Sequence, residues 1–320
     1  MRSGLRAHFC FLFSTFCFLL TPMPVELVQY FNRYTQRVET EEVYGDQFLR
    51  FTYANPLGRL ALHALVKRSL FSRWYGWRMD GARSRAKVAP FIHHYRVNTA
   101  EFADAPESYR TFNEFFFRKL KLEARPVNAE ENVAVFPADG RHLGFQDVSR
   151  MDGIFVKGAV FDLRALLQDD ALAARFREGT MVLSRLCPVD YHRFHFPVAG
   201  VPGAPRLING PLYSVNPIAL RRNIRIFTEN KRAVTAIESE RFGTVLMFEV
   251  GATCVGSWDY TFTPGARVAK GAEKGFFKFG GSSTITLFER GRVRLADDLL
   301  EQSARRMELY AQMGDAMGKC

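Results

Sequence analysis

Cysteine is scarce in this chain and badly placed for either of its usual structural uses. Five occur in 320 residues, Cys10, Cys17, Cys187, Cys254 and Cys320, and none stands in a C-x-x-C pair. That spacing excludes a disulfide framework and a thiolate metal cluster, and makes a reducing compartment the default. Other signatures are missing as well. No histidine opens the H-E-x-x-H zinc pattern, and no serine sits in a G-x-S-x-G nucleophile elbow. No basic block is interleaved with RNA-stacking aromatics, which disfavours nucleic acid. There is neither an internal repeat nor a low-complexity linker. The apolar run at residues 9–20 is too short to cross a bilayer comfortably.

What is present is apolar and basic. Hydrophobic residues make up 47% of the chain, with 30 phenylalanines and 11 tyrosines, enough for a substantial core and far too many for a disordered chain. The net charge of +11 calls for an anionic partner, such as nucleic acid, acidic lipid or a phosphorylated substrate. Residues 1–22 carry two arginines, the apolar run and a proline break. They read either as a signal or anchor segment, or as an extension upstream of a true start at Met23. They are set aside from the fold.

Residues 23–130 read as a helical, membrane-associated front. The stretch 58–78 places Leu62, Leu65, Val66, Leu70, Trp74 and Trp77 on one helical face. Arg59, His63 and Lys67 line another. A basic amphipathic helix ending in two tryptophans suits a membrane surface, with Arg59, Lys67, Arg73, Trp74 and Trp77 as contacts; an ordinary core-packing helix is the alternative. A second helix is expected over 107–121. From residue 131 to 320 the chain turns to short β-rich segments punctuated by Gly, Pro and Asn, with helices expected at 161–168, 169–178 and 297–313. The fold class is therefore α+β: amphipathic helices, then a mainly antiparallel β-rich catalytic body, forming one compact unit.

The chemistry-bearing residues are few. "CPVDYHRFHFPVAG" carries His192 and His195, which lie three apart and so point to opposite faces of a strand. Either suits acid–base work near neutral pH. Asp139, in the Pro-Ala-Asp-Gly turn of "VFPADGRH", is a better candidate orienter than Asp190; an Asx-turn role is the alternative. In "FFKFGGSSTITLF" a strand pattern is interrupted by Gly280 and Gly281 and followed by Ser282 and Ser283. Glycine in a strand marks a bulge or a place of close backbone approach. An Asp/His/Ser set permits a serine hydrolase acting on lipid or peptide. It equally permits attack by Ser282 on the carbonyl of Gly281, where no side chain obstructs it. A third reading is a basic membrane-surface module in which these residues are structural.

These segments resemble the phosphatidylserine decarboxylase family of pyruvoyl-dependent enzymes. "FKFGGSSTITLF" is similar to the family's self-cleavage motif, "FPADG" to its aspartate motif and "PVDYHRFHFPVAG" to its histidine motif. "YFNRYT", "LYSVNP" and "FEVGATCVGS" resemble further signatures, so the likeness runs from about Gln29 to the C-terminus. The resemblance implies a proenzyme that cuts itself at Gly281–Ser282 into a β chain and an α chain that stay together. It implies that His195, oriented by Asp139, takes the Ser282 proton. Ser282 then becomes a covalent pyruvoyl group, the cofactor and Schiff-base site, and His192 returns a proton in decarboxylation. The implied partner is phosphatidylserine in an anionic membrane, at which the enzyme sits peripherally on the cell membrane; no metal is implied, and higher homo-oligomers stay open. Ser283 stands where the family more often has threonine, which leaves a cut one residue later as an alternative.

Overall fold

The computed structural model describes residues 27–42, 69–151, 161–220, 225–252, 258–279 and 282–320. Arg59 and Lys67 lie outside these residues, as do Gly280 and Gly281 and the segment 1–22. The strands are β1 (Gln29–Asn32), β2 (Arg37–Thr40), β3 (Val133–Val135), β4 (Gly140–Phe145), β5 (Thr180–Leu186), β6 (Arg193–His195), β7 (Val201–Pro202), β8 (Arg206–Ile208), β9 (Arg232–Ser239), β10 (Gly243–Val250), β11 (Trp258–Tyr260), β12 (Glu273–Phe277), β13 (Ser282–Phe288), β14 (Arg294–Leu295), β15 (Glu308–Ala311) and β16 (Ala316–Lys319). The main sheet runs β2-β1-β15-β4-β5-β13-β10-β9-β7, with β8 also paired to β9. Only the β1–β15 pair in it is parallel. Two small sheets, β11-β12-β6 and β14-β16-β3, make up the rest of the β structure among the described residues.

The central strands are buried on both faces, and their alternation sorts the core into two layers. On β5, β10 and β13, Met181, Leu183, Leu246, Phe248, Ile285 and Leu287 face one way. There they meet Leu166, Leu167, Ala219, Leu220, Ile226 and Phe227 from short helices. Val182, Leu186, Val245, Met247 and Phe288 face the other way, onto Phe194 and Phe277 of the small sheet, Phe196 just past it and Leu299 of the helix Asp297–Ala304. The fold is α+β with a mostly antiparallel body. A third cluster, Met79, Val88, Phe91, Phe102, Tyr109, Phe112, Phe115 and Phe116, forms the helical front and takes in Phe279 from the body.

Local chemistry set several boundaries. Asp162 and Asp169 accept the N–H groups of Ala165 and Leu172, starting helices Leu163–Leu167 and Asp170–Arg175 where two were expected. The helix expected over 107–121 is only Phe112–Phe116, capped by Thr111. It stops where the backbone of Phe117 leaves the helical region, at φ −95° and ψ 30°, and Arg118 behind it is buried. The helix expected over 297–313 ends at Ala304. Arg306 is left-handed, at φ 58°, and the chain turns into β15 to fill the main sheet between β1 and β4. The front is not wholly helical either, since β1 and β2 join the main sheet. Helix Ser69–Asp80 covers the end of the expected 58–78 helix, with Trp74 49% and Trp77 73% exposed. Among the described residues no helix is long and apolar enough to cross a membrane.

Candidate active site

Strand pairing brings distant parts of the chain to one end of the main sheet. β5 and β13 pair with Leu186 opposite Ser282, while β6 and β12 pair in the small sheet with Arg193 opposite Phe276. The chain therefore passes between the two sheets twice, at 187–192 and again between β12 and β13. The Phe277 N–H donates to the His192 carbonyl at 2.9 Å and ties the two crossings. Gly140 lies against Leu186 from the other side, a Cβ there being 2.5 Å from the Arg185 carbonyl oxygen. Positions 139–140, 186–192 and 282 thus share one edge of the body.

Within that edge, Ser282 is fully buried and its Oγ has no hydrogen-bond partner among the described residues. The Oγ of Ser283 is likewise without a partner, but alternation separates the two serines. Ser282 shares its face with Phe288, the face covered by β6 and β12. Ser283 shares its face with Ile285 and Leu287, under the helices.

Both histidines are held in a single tautomer. His195 Nδ1–H donates to the Gly271 carbonyl at 2.9 Å, leaving its buried Nε2 as a lone-pair nitrogen without a partner. Burial pulls its pKa below the usual imidazole value, so the ring is a neutral base. His192 Nδ1–H donates to the Asp190 carbonyl at 3.0 Å, and its ring lies 3.8 Å from that of Phe116. Among the described residues the hydrogen bond of the His195 ring goes to a backbone carbonyl and not to a carboxylate.

Asp139, expected to orient His195, has other hydrogen-bond partners in the folded chain. The Asp139 carboxylate takes two hydrogen bonds from Arg125 Nε at 2.9 Å, one from Arg125 Nη2 at 2.7 Å and one from the Met313 N–H at 2.9 Å. A bidentate, charged guanidinium outcompetes a neutral imidazole for a buried carboxylate. Asp139 meets His195 through the backbone instead, because the turn it anchors presents the Pro137 carbonyl to the His195 N–H at 2.7 Å.

Sequence reasoning missed the contribution of the front. Phe279, two residues before Gly281, packs 5.0 Å from Phe112 and 4.9 Å from Phe116, ring to ring. Its N–H donates to Asn113 Oδ1 at 2.7 Å. "FNEFF" therefore grips the segment ahead of the two glycines and stacks on His192 at once. Its dense aromatic run was visible; its partner was not.

Buried serine and histidine side chains of this kind, set where the chain passes between two sheets of an α+β body, fit the interior of an enzyme. The model of the phosphatidylserine decarboxylase family matches residues 112–319. A phosphatidylserine decarboxylase proenzyme of Chlamydia muridarum is 46% identical over 91% of this chain and 96% of its own length. Those of Fusobacterium nucleatum, at 43% over 92% of this chain, and Clostridium kluyveri, at 41% over 91%, are each covered over 99% of their length. The chain belongs to the phosphatidylserine decarboxylase family.

Proposed function

We propose that this chain cuts itself between Gly281 and Ser282 and then decarboxylates phosphatidylserine at a pyruvoyl group left on Ser282. The observation that carries the reading is the buried, unpartnered Ser282 Oγ on the face covered by β6 and β12. The name proenzyme borne by the relatives supports a processing step.

In the cut, His195 Nε2 takes the Ser282 proton and Oγ attacks the Gly281 carbonyl, exchanging the amide for an ester. Loss of the Ser282 α-proton expels the Gly281 carboxylate and leaves dehydroalanine at the new N-terminus. Its tautomer is hydrolysed by water, ammonia departs and a ketone remains. Asp139 acts as a positioning residue, holding the Pro137 carbonyl on which the His195 backbone rests. The pyruvoyl ketone supplies a carbonyl that binds the lipid amine and accepts the electron pair that carbon dioxide leaves behind. His192, its Nδ1–H fixed on the Asp190 carbonyl, takes up a second proton at Nε2 and returns that proton to the substrate carbon.

The lipid substrate requires contact with an anionic surface, and the exposed Trp74 and Trp77 are the anchors for a peripheral position on the cell membrane. Intact-mass analysis tests the whole reading. Two chains are expected, the second spanning 282–320 and lacking a free amine. His195→Ala should stay uncut, Asp139→Asn should cut slowly, and His192→Ala should cut but turn over poorly. A single full-length chain with full decarboxylase activity would overturn it.

A further inference from the structure

Arg118 is a buried cation that the chemistry above leaves unused. The residue is 4% exposed and has no carboxylate within ion-pair distance among the described residues. Its Nη2 donates to the carbonyls of Val189 and Asp190 at 3.2 and 3.3 Å, and the guanidinium lies over Phe102 and Phe115 at 4.9 and 5.0 Å. Its Nε has no partner among the described residues. Burial lowers its pKa to about 10, which leaves it charged at neutral pH. The neighbouring cations differ: Arg125 is met by Asp139 and Glu101, and Arg141 by Asp190 and Glu41.

Arg118 lines a cavity of about 280 Å³ together with Asn98, Tyr191 and Gln312. Glu101, Asp139 and Asp190 line it too, but their carboxylates are taken up by Arg125 and Arg141 on the same wall, which leaves Arg118 the cation in excess. A buried guanidinium with an open donor and no counter-charge is costly, and a site that receives an anion removes that cost. Its position says which anion. Arg118 and His192 meet the same carbonyl oxygen, that of Asp190, at 3.3 and 3.0 Å. In a phosphoserine head group the phosphorus lies three bonds from the carbon to be reprotonated, so a cation beside His192 falls where the phosphate would lie. The carboxylate is the poorer assignment. A cation paired with it would stabilise the charge that must leave as carbon dioxide, strengthening the ground state over the transition state.

We propose that Arg118 and its cavity bind the phosphodiester of the lipid head group, an inference that rests on the function proposed above. A free phosphate offers the same chemistry, so the test carries both. Processed wild-type protein, Arg118→Lys and Arg118→Gln are assayed for carbon dioxide release from phosphatidylserine in detergent micelles, with glycerophosphoserine or inorganic phosphate as competitor. Arg118→Gln should raise KM about tenfold or more with kcat within about twofold, the size of one lost charge-assisted bond; Arg118→Lys should fall between. Glycerophosphoserine should compete far better than inorganic phosphate against the wild type, and lose that advantage in Arg118→Gln. An unchanged KM overturns the proposal, and so does inorganic phosphate competing equally well. Should Arg118→Gln not fold, the arginine Nε–H resonance of Arg118 in the wild type is read instead. It should shift on adding glycerophosphoserine, and no shift overturns the site. Absence of carbon dioxide release from wild type would refute the reaction, while the resonance still reports on the cavity.

Discussion

Lys274→Met probes how the two sheets are fastened on either side of the Gly-Gly-Ser-Ser run. Lys274 on β12 and Glu249 on β10 are both fully buried, with Nζ 2.5 Å from the carboxylate. The rings of Phe194, Tyr260 and Phe262 surround the ammonium at 5.9, 5.2 and 5.9 Å, and the Tyr260 hydroxyl donates to Glu249 at 2.7 Å. Because β10 pairs with β13, this ion pair ties the strand before the run to the neighbour of the strand after it. Removing the ammonium alone leaves a carboxylate with one tyrosine donor in an apolar layer, which costs about 3–5 kcal/mol. Burial already raises the Glu249 pKa, and losing Lys274, which lowers it, pushes it further up. A carboxyl whose folded pKa is raised favours the folded state at low pH and loses that advantage as pH rises through the folded value. The deficit in Lys274→Met should therefore be larger at pH 8 than at pH 5. The double variant Lys274→Met/Glu249→Leu should return to within about 1 kcal/mol of the parent, since a matched apolar pair replaces a buried ion pair at little net cost. Urea denaturation of the uncleaved Ser282→Ala chain measures all of these on one polypeptide. A single variant losing less than about 1 kcal/mol at pH 8, or a double variant as weak as the single, would refute the reasoning.

Three further outcomes are expected. His142 is fully buried between Ser184 Oγ at 2.8 Å and the Ala311 carbonyl at 3.2 Å, and burial lowers its pKa to about 3. Its share of stability is complete above pH 6.5 and lost as pH falls from there toward 3, at about 1.4 kcal/mol per unit, so His142→Gln should flatten the acid limb of a denaturation series; an identical slope argues against it. Phe279→Ala should cost about 3–5 kcal/mol and slow the cut, while Phe279→Leu keeps most of both, read as a first-order processing rate; an unchanged rate in Phe279→Ala would mean that the front does not hold the segment. Charge reversal at Arg59, Lys67 and Arg73 should weaken sedimentation with anionic vesicles by roughly 1 kcal/mol per residue, more at low salt, and leave processing intact; unchanged binding in a folded, processed variant moves the membrane contact elsewhere.

The histidine and serine segments were legible in one dimension because their chemistry is carried by residue type and short spacing. So were the β-rich body, from its short segments punctuated by Gly, Pro and Asn, and the two short helices Leu163–Leu167 and Asp170–Arg175. What the linear pattern misjudged was length. The 297–313 segment has helical spacing throughout, yet the vacancy between β1 and β4 drew its second half into a strand. The partners of buried groups were equally out of reach. Asp139 was matched to a histidine because both suit a catalytic pair, whereas the folded chain brings Arg125 to it, fourteen residues upstream. Phe279 meets Asn113 across 166 residues, and Lys274 meets Glu249 across another sheet. Local sequence determines which backbone shapes are cheap and which side chains can do chemistry. Pairing between distant strands alone decides which of them share a face, and a buried charge takes whichever counter-charge the packing delivers.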